Sequence, residues 1–180
     1  MLSAPLRAGD EKAALDPRRA LWPSRGMISV VLVASEDLTG LAAQMAMLVP
    51  AAVDGLVKEV ILVADGEPGV EALAEDSGAR LVKAPGEVGV RLSAGAAVAR
   101  GDWILTLRSA PALREGWREP VEKHLAGGAG APAYLTVPGG MLSKLSPRLH
   151  GVVVRRLDWP AVVGDEKALA KALKARRLSY

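Results

Sequence analysis

Cysteine and phenylalanine are absent from this 180-residue sequence, and histidine occurs only twice. Without cysteine there is no disulfide, no thiolate nucleophile and no Cys-based zinc or iron–sulfur site. His124 and His150 are too few for a multi-histidine metal site within one chain. Four tryptophans and two tyrosines make the aromatic share 3%, almost no material for the stacking platforms of a single-stranded nucleic-acid binder. Nucleic acid is therefore not an expected partner. Long apolar runs are missing as well. The longest, residues 42–53, contains Gln44 and Pro50 and is too short to span a bilayer, so no transmembrane segment is expected. Residues 1–26 lack the uninterrupted apolar region of a secretory signal and carry Asp10, Glu11 and Asp16. A cytoplasmic location is the expectation.

What is present is aliphatic. Hydrophobic residues make up 50% and charged residues 24%, with mean hydropathy +0.20, which is far from the composition of a disordered chain. A core of Val, Leu, Ile and Ala is expected. At this length roughly 70% of the unfolded chain's surface can be buried without staples. The net charge of +3 is a mild bias, with one basic run, Lys167, Lys171, Lys174, Arg176 and Arg177.

From Met27 onward short apolar runs alternate with helical periodicities. Residues 28–34, 57–64, 80–84 and 103–107 read as strands, the first two as buried ones. Helices are expected over 37–53, with Pro50 bending or ending it, and over 70–77, 88–100, 115–126 and 166–177. Gly78 closes the second, Gly95 lets the third pack closely on a sheet, and Asp165 is a good N-cap for the last. Residues 133–137 and 151–154 are expected strands, 127–132 a connection and 138–148 a loop. Strands alternating with helices predict an α/β fold with a mostly parallel sheet, and ligands there bind beyond the carboxyl ends of the strands. Residues 1–26 are expected to be an N-terminal arm or extension, and 27–180 a single domain.

The segments MISVVLVASEDLTGL, EVILVADGEPGVEALAEDSGARLVKAP and LSAGAAVARGDWILTL resemble the nucleotide-sugar half of family 2 glycosyltransferases. That resemblance implies a Rossmann-like GT-A fold, with 27–113 as the nucleotide-sugar half and 114–180 as a shortened acceptor half. It implies a nucleotide-sugar donor, a UDP-sugar first, and hexosyl transfer. In the family the fourth strand delivers Asp-x-Asp to a divalent metal. Here Arg108 and Ala110 occupy the carboxylate positions, and a hard cation needs oxygen ligands that neither supplies. The metal motif is absent, and Arg108 is the candidate cation substitute.

By the same resemblance Ser35, Asp37, Asp65 and Gly66 are candidate nucleotide-binding residues, with Arg91 a candidate phosphate partner. Asp165 and Glu166 match the pair that supplies the family's general base. Each also has a plainer role: Asp37 as a helix cap, Asp65 as a turn residue, Arg91 as a solvated residue on an exposed helix face, and the Asp165–Glu166 pair as an acidic helix start. His150 reads as a surface or loop histidine and His124 as structural. Two functions follow: an inverting, metal-independent glycosyltransferase, or a non-catalytic binding or regulatory module that keeps the GT-A fold. A nucleotidyltransferase-like domain is disfavoured, since no Gly-rich, Arg- or Lys-containing loop follows the first strand. The acceptor is left open, as is any protein or membrane-surface partner.

Overall fold

Val and Ile stiffen the chain into strands, and the run Ile28–Val33 accordingly forms β1, buried on both faces. In the computed structural model, which describes residues 27–127, 130–136 and 148–178, β1 pairs in parallel with β2 (Val57–Ala64) and β4 (Trp103–Arg108). β3 (Arg80–Lys83) extends the sheet beyond β2, also in parallel. On the other side lie β5 (Ala133–Thr136), β6 (Leu149–Arg155) and β7 (Arg176–Leu178). The order is β3-β2-β1-β4-β6-β5-β7. β6 is antiparallel to both β4 and β5, and β7 is parallel to β5, so β6 alone runs against the rest. The expected arm over 1–26, residues 128–129 of the expected connection and nearly all of the expected 138–148 loop lie outside the described residues.

Side chains alternate across the strands, and each face is covered. Val30 and Leu32 join Leu62, Leu105 and Leu107 beneath α1 (Leu38–Ala46), α2 (Val49–Val53), α3 (Val70–Ser77) and α5 (Arg118–Ala126). Val31, Ile61, Val63 and Ile104 face α4 (Val88–Val98), whose Leu92 and Ala96 pack on them. Val152 packs under Leu169 and Ala170 of α6 (Glu166–Ala172). Gly95 lets α4 lie flush on the sheet: a Cβ there would stand 2.5 Å from Val31 Cγ1 and 2.9 Å from Val63 Cγ2. No helix among the described residues is long and apolar enough to cross a membrane.

Three expected elements differ. The helix expected over 37–53 is two, and Pro50 lies in the first turn of α2, where a proline's missing N–H leaves nothing unsatisfied. The helix expected over 115–126 begins only at Arg118. The helix expected over 166–177 stops at Ala172, and Arg176–Leu178 instead becomes edge strand β7 on β5. Lys174 makes the break: its φ is 50°, in the left-handed region, while the Ala175 amide reaches back to the Ala170 carbonyl.

Candidate functional site

Because β6 is reversed, its first residues share one rim with the carboxyl ends of β1, β2 and β4. The sequence-predicted site residues meet on this rim. Beyond β1, the Ser35 hydroxyl lies 2.7 Å from that of Ser109, just past β4. Asp37 caps α1, its carboxylate accepting the Gly40 N–H at 2.8 Å. Asp65 follows β2 directly and accepts the Gly86 N–H at 3.2 Å, tying the loop after β3 to the β2 turn. Gly66 follows with φ 94°, a turn that favours glycine.

Arg91 belongs to this group from beneath. It is 9% exposed, which corrects the picture of a solvated Arg on an open helix face. Its guanidinium Nη2 donates to the Ala34 carbonyl at 3.1 Å, the Val63 carbonyl at 2.8 Å and Glu67 Oε1 at 2.6 Å. α4 aims the side chain at the sheet because Arg91 lies one turn before Gly95, the residue in contact with β1 and β2. Glu67, which sequence reasoning did not single out, completes the arrangement by accepting the Asp65 N–H at 2.7 Å. Burial alone would raise its pKa. The amide N–H groups of Asp65 and of Glu67 itself, with the Arg91 guanidinium, outweigh burial and hold the carboxyl below its usual value.

Across β4 a second group forms. Arg108 ends the strand, and its Nε is 3.7 Å from Glu166 Oε2. Glu166 is only 2% exposed, and its Oε2 has no hydrogen-bond partner. The Asp165 carboxylate is engaged as the cap of α6, accepting the Ala168 N–H at 2.7 Å. The two candidate bases are therefore unequal: one is a cap, and the other is a buried carboxylate against a cation. His150 is corrected from a surface or loop residue to a buried residue of β6, 1% exposed. Burial pushes its pKa down to about 4, the Arg108 charge adds to this, and the Pro111 carbonyl opposes it. His124 is buried on α5, with its Nδ1 2.7 Å from Arg176 Nη2 and its ring edge-on to Trp103. That is a structural setting.

The residues after β4 do not fit a divalent metal. Arg108 is a cation, Ala110 offers no side-chain oxygen, and the Ser109 hydroxyl is paired with Ser35. Among the described residues no group of three His, Cys, Asp or Glu is arranged to hold a metal ion.

At the level of sequence the chain matches no protein-family profile and no curated protein. Solved structures do match. Glucosyl-3-phosphoglycerate synthase from Mycobacterium tuberculosis, in complex with Mg2+ and uridine diphosphate, superposes with TM-score 0.66 at 22% identity, over 84% of this chain and 69% of that one. The same enzyme with Mn2+, uridine diphosphate and glucosyl-3-phosphoglycerate gives TM-score 0.65 at 21% identity over the same shares. Its complex with phosphoglyceric acid gives 0.64 at 23%. The fold is GT-A. In this GT-A fold the Rossmann-like strands β1 to β4 carry the Ser35–Asp65–Arg91 group, and β6 with α6 carries Glu166.

Proposed function

We propose that this protein is a nucleotide-sugar-dependent glycosyltransferase of family 2 type in which the Arg108 guanidinium takes the part of a divalent cation. The observation that carries the reading is the place of Arg108: at the end of β4, with Ser35 and Ser109 on one side and Glu166 3.7 Å away on the other. The GT-A enzyme it superposes on is described in complex with uridine-diphosphate-glucose, which favours a UDP-sugar as donor.

The nucleoside lies over the ends of β1 and β2, where Asp65, Gly66, Ser35 and Asp37 offer acceptors, donors and an open backbone. Arg91 acts from below by holding the Asp65–Glu67 turn. Arg108 neutralises the diphosphate through charge-assisted hydrogen bonds, which are stronger than neutral ones. An acceptor hydroxyl oxygen then bonds to the anomeric carbon as the bond from that carbon to the diphosphate oxygen breaks. The electron pair leaves with the diphosphate, and the hydroxyl proton passes to Glu166, whose Oε2 has no hydrogen bond to give up.

Calorimetric titration of UDP and GDP with and without Mn2+ tests the reading. UDP should bind equally well in both conditions, and Arg108→Ala should weaken it about tenfold or more, the loss of one hydrogen bond to a charged group. A non-catalytic binding module is the second reading. It is favoured by the Ser35–Ser109 pair, in which the two hydroxyls engage each other. Absence of nucleotide binding in either condition would select it.

A further inference from the structure

On the rim opposite the candidate site, β1, β2, β4, β5 and β7 begin and β6 ends. Two kinds of exposed side chain meet there, and the first is cationic. Lys58 donates to the Arg100 carbonyl at 2.9 Å, Arg80 to the Val98 carbonyl at 3.1 Å and Arg156 to the Gly101 carbonyl at 3.2 Å. These three gather at the carboxyl end of α4, where the helix dipole favours positive charge. The dipole does not account for the rest. Arg155 lies over the Trp103 ring, 5.5 Å from its centre. Arg176 reaches His124, which stands edge-on to the same ring, and Arg177 follows on β7. None of Lys58, Arg80, Arg155, Arg156, Arg176 or Arg177 is in an ion pair among the described residues. Of the carboxylates nearby, Glu59 is taken by Arg100 at 2.8 Å and Asp54 by Arg118 at 2.7 Å. Asp76, Asp102 and Asp158 are then outnumbered, and the rim is positive.

The second kind is apolar. Leu157 is 87% exposed, Val53 80% and Met27 41%. Backbone hydrogen bonds set them in a row along the strand ends. The Arg156 N–H, beside Leu157, meets the Asp102 carbonyl; the Trp103 N–H meets the Met27 carbonyl; and the Ile28 N–H meets the Leu56 carbonyl, shortly after Val53. Cations stand between and around these side chains. The sequence that leads into Met27 has the same make-up: residues 18–26 read RRALWPSRG, with three arginines about Leu21 and Trp22 and no carboxylate.

We infer that this rim is a docking surface for an anionic lipid bilayer. Leu157, Val53 and Met27 enter the boundary between headgroups and acyl chains, and the cations around them take the lipid phosphates. Either signal alone holds a protein on a membrane weakly, and the two together hold it firmly. A polynucleotide would match the cations but would give Leu157 and Val53 nothing. Trp103, 6% exposed, is too buried to stack on a base. Apolar tips set singly among cations, rather than gathered in a groove, suit a fluid interface that each can enter by itself. Docked in this way the chain turns Asp65 and Arg108 towards water, so the surface stands independently of the transferase reading.

The test is co-sedimentation of the full chain with two kinds of vesicle: phosphatidylglycerol and phosphatidylcholine in equal parts, and phosphatidylcholine alone. Capture should require phosphatidylglycerol and weaken as salt rises. Leu157→Asp should weaken it about tenfold or more, the loss of one apolar side chain from the interface. Arg177→Ala should weaken it about fivefold, the share of one cation near a charged surface. Both side chains are exposed, so neither variant should shift the melting temperature, and lost capture is then not a lost fold. Lys167→Ala, at the start of α6 on the other rim, should be captured as the parent is. Equal capture by phosphatidylcholine alone, no capture by either vesicle, or a Leu157→Asp chain that binds as the parent does would overturn the inference. So would release by Lys167→Ala in place of Leu157→Asp, which would move the contact to the other rim. Binding of polyuridylate without capture by vesicles would overturn it in favour of nucleic acid.

Discussion

Arg91 is the cation on which the β1–β2 side of the rim is assembled. One guanidinium nitrogen serves the last turns of β1 and β2 and the Glu67 carboxylate at once, and the ion pair is largely shielded, with side-chain exposures of 11% and 13%. Removing it would take a donor from each of two carbonyls and the cation from a carboxylate held below its ordinary pKa. Arg91→Ala should therefore cost about 3 kcal/mol, read as a lowered urea midpoint. Arg91→Lys should recover only part of this, since an ammonium cannot reproduce the planar fork. The clue to this residue was present in the sequence: Arg91 and Gly95 are four apart, so whatever face Gly95 shows the sheet, Arg91 shows too. Glu67 carried no such clue. Its role depends on the turn after β2 folding back over Arg91, which spacing along the chain does not reveal. Likewise the Asp165–Glu166 pair was visible as a pair, but only the packing of α6 on β6 separates a cap from a buried carboxylate.

Among the elements, α4 links the two halves of the rim. It lies flush on β1 and β2 through Gly95, and at its first turn Gly89 touches the segment that leads into α6: a Cβ there would fall on the Val163 and Gly164 carbonyl oxygens. Backbone oxygens cannot rotate away as a side chain can. Gly89→Ala should thus displace residues 163–165 and with them Glu166, at a stability cost of about 2 kcal/mol. Thermal unfolding would show the cost, and turnover should fall more than UDP affinity does. Strands β1 to β4 and the helices between them were legible because each has its own period and its own turn residues. The last elements were not. A three-residue strand such as β7 has no period to detect, and it exists because the edge of β5 offers hydrogen-bonding groups.

For the molecule as a whole, acid should be the condition that loosens the fold. His150 has a pKa of about 4 against an ordinary 6.5, so between those values the unfolded chain takes up a proton that the native one refuses. Its contribution is complete above pH 6.5 and falls away as pH drops towards 4, by about 3 kcal/mol in all. His124, lowered by burial and by the Arg176 charge, acts in the same sense. Glu67 and Glu59, both held below 4.5, add their loss only at lower pH. Denaturant titrations at pH 7 and pH 4.5 should show the decline, and His150→Gln should make it shallower. The α/β class with its mostly parallel sheet was readable from alternation alone. The strand order, and the reversal of β6 between β4 and β5, arise from pairings between residues far apart in the chain, and no local pattern encodes them.

That reversal keeps Ser35, Asp65, Arg108 and Glu166 off the opposite rim, where β2 and β4 begin. Val53, at the end of α2 and 80% exposed, stands just before β2 on that side. Since the chain has no cysteine, Val53→Cys would supply a unique thiol. A maleimide linkage through it would anchor every molecule on a sensor surface by its back, with the rim that carries Asp65 and Arg108 turned to the flowing ligand.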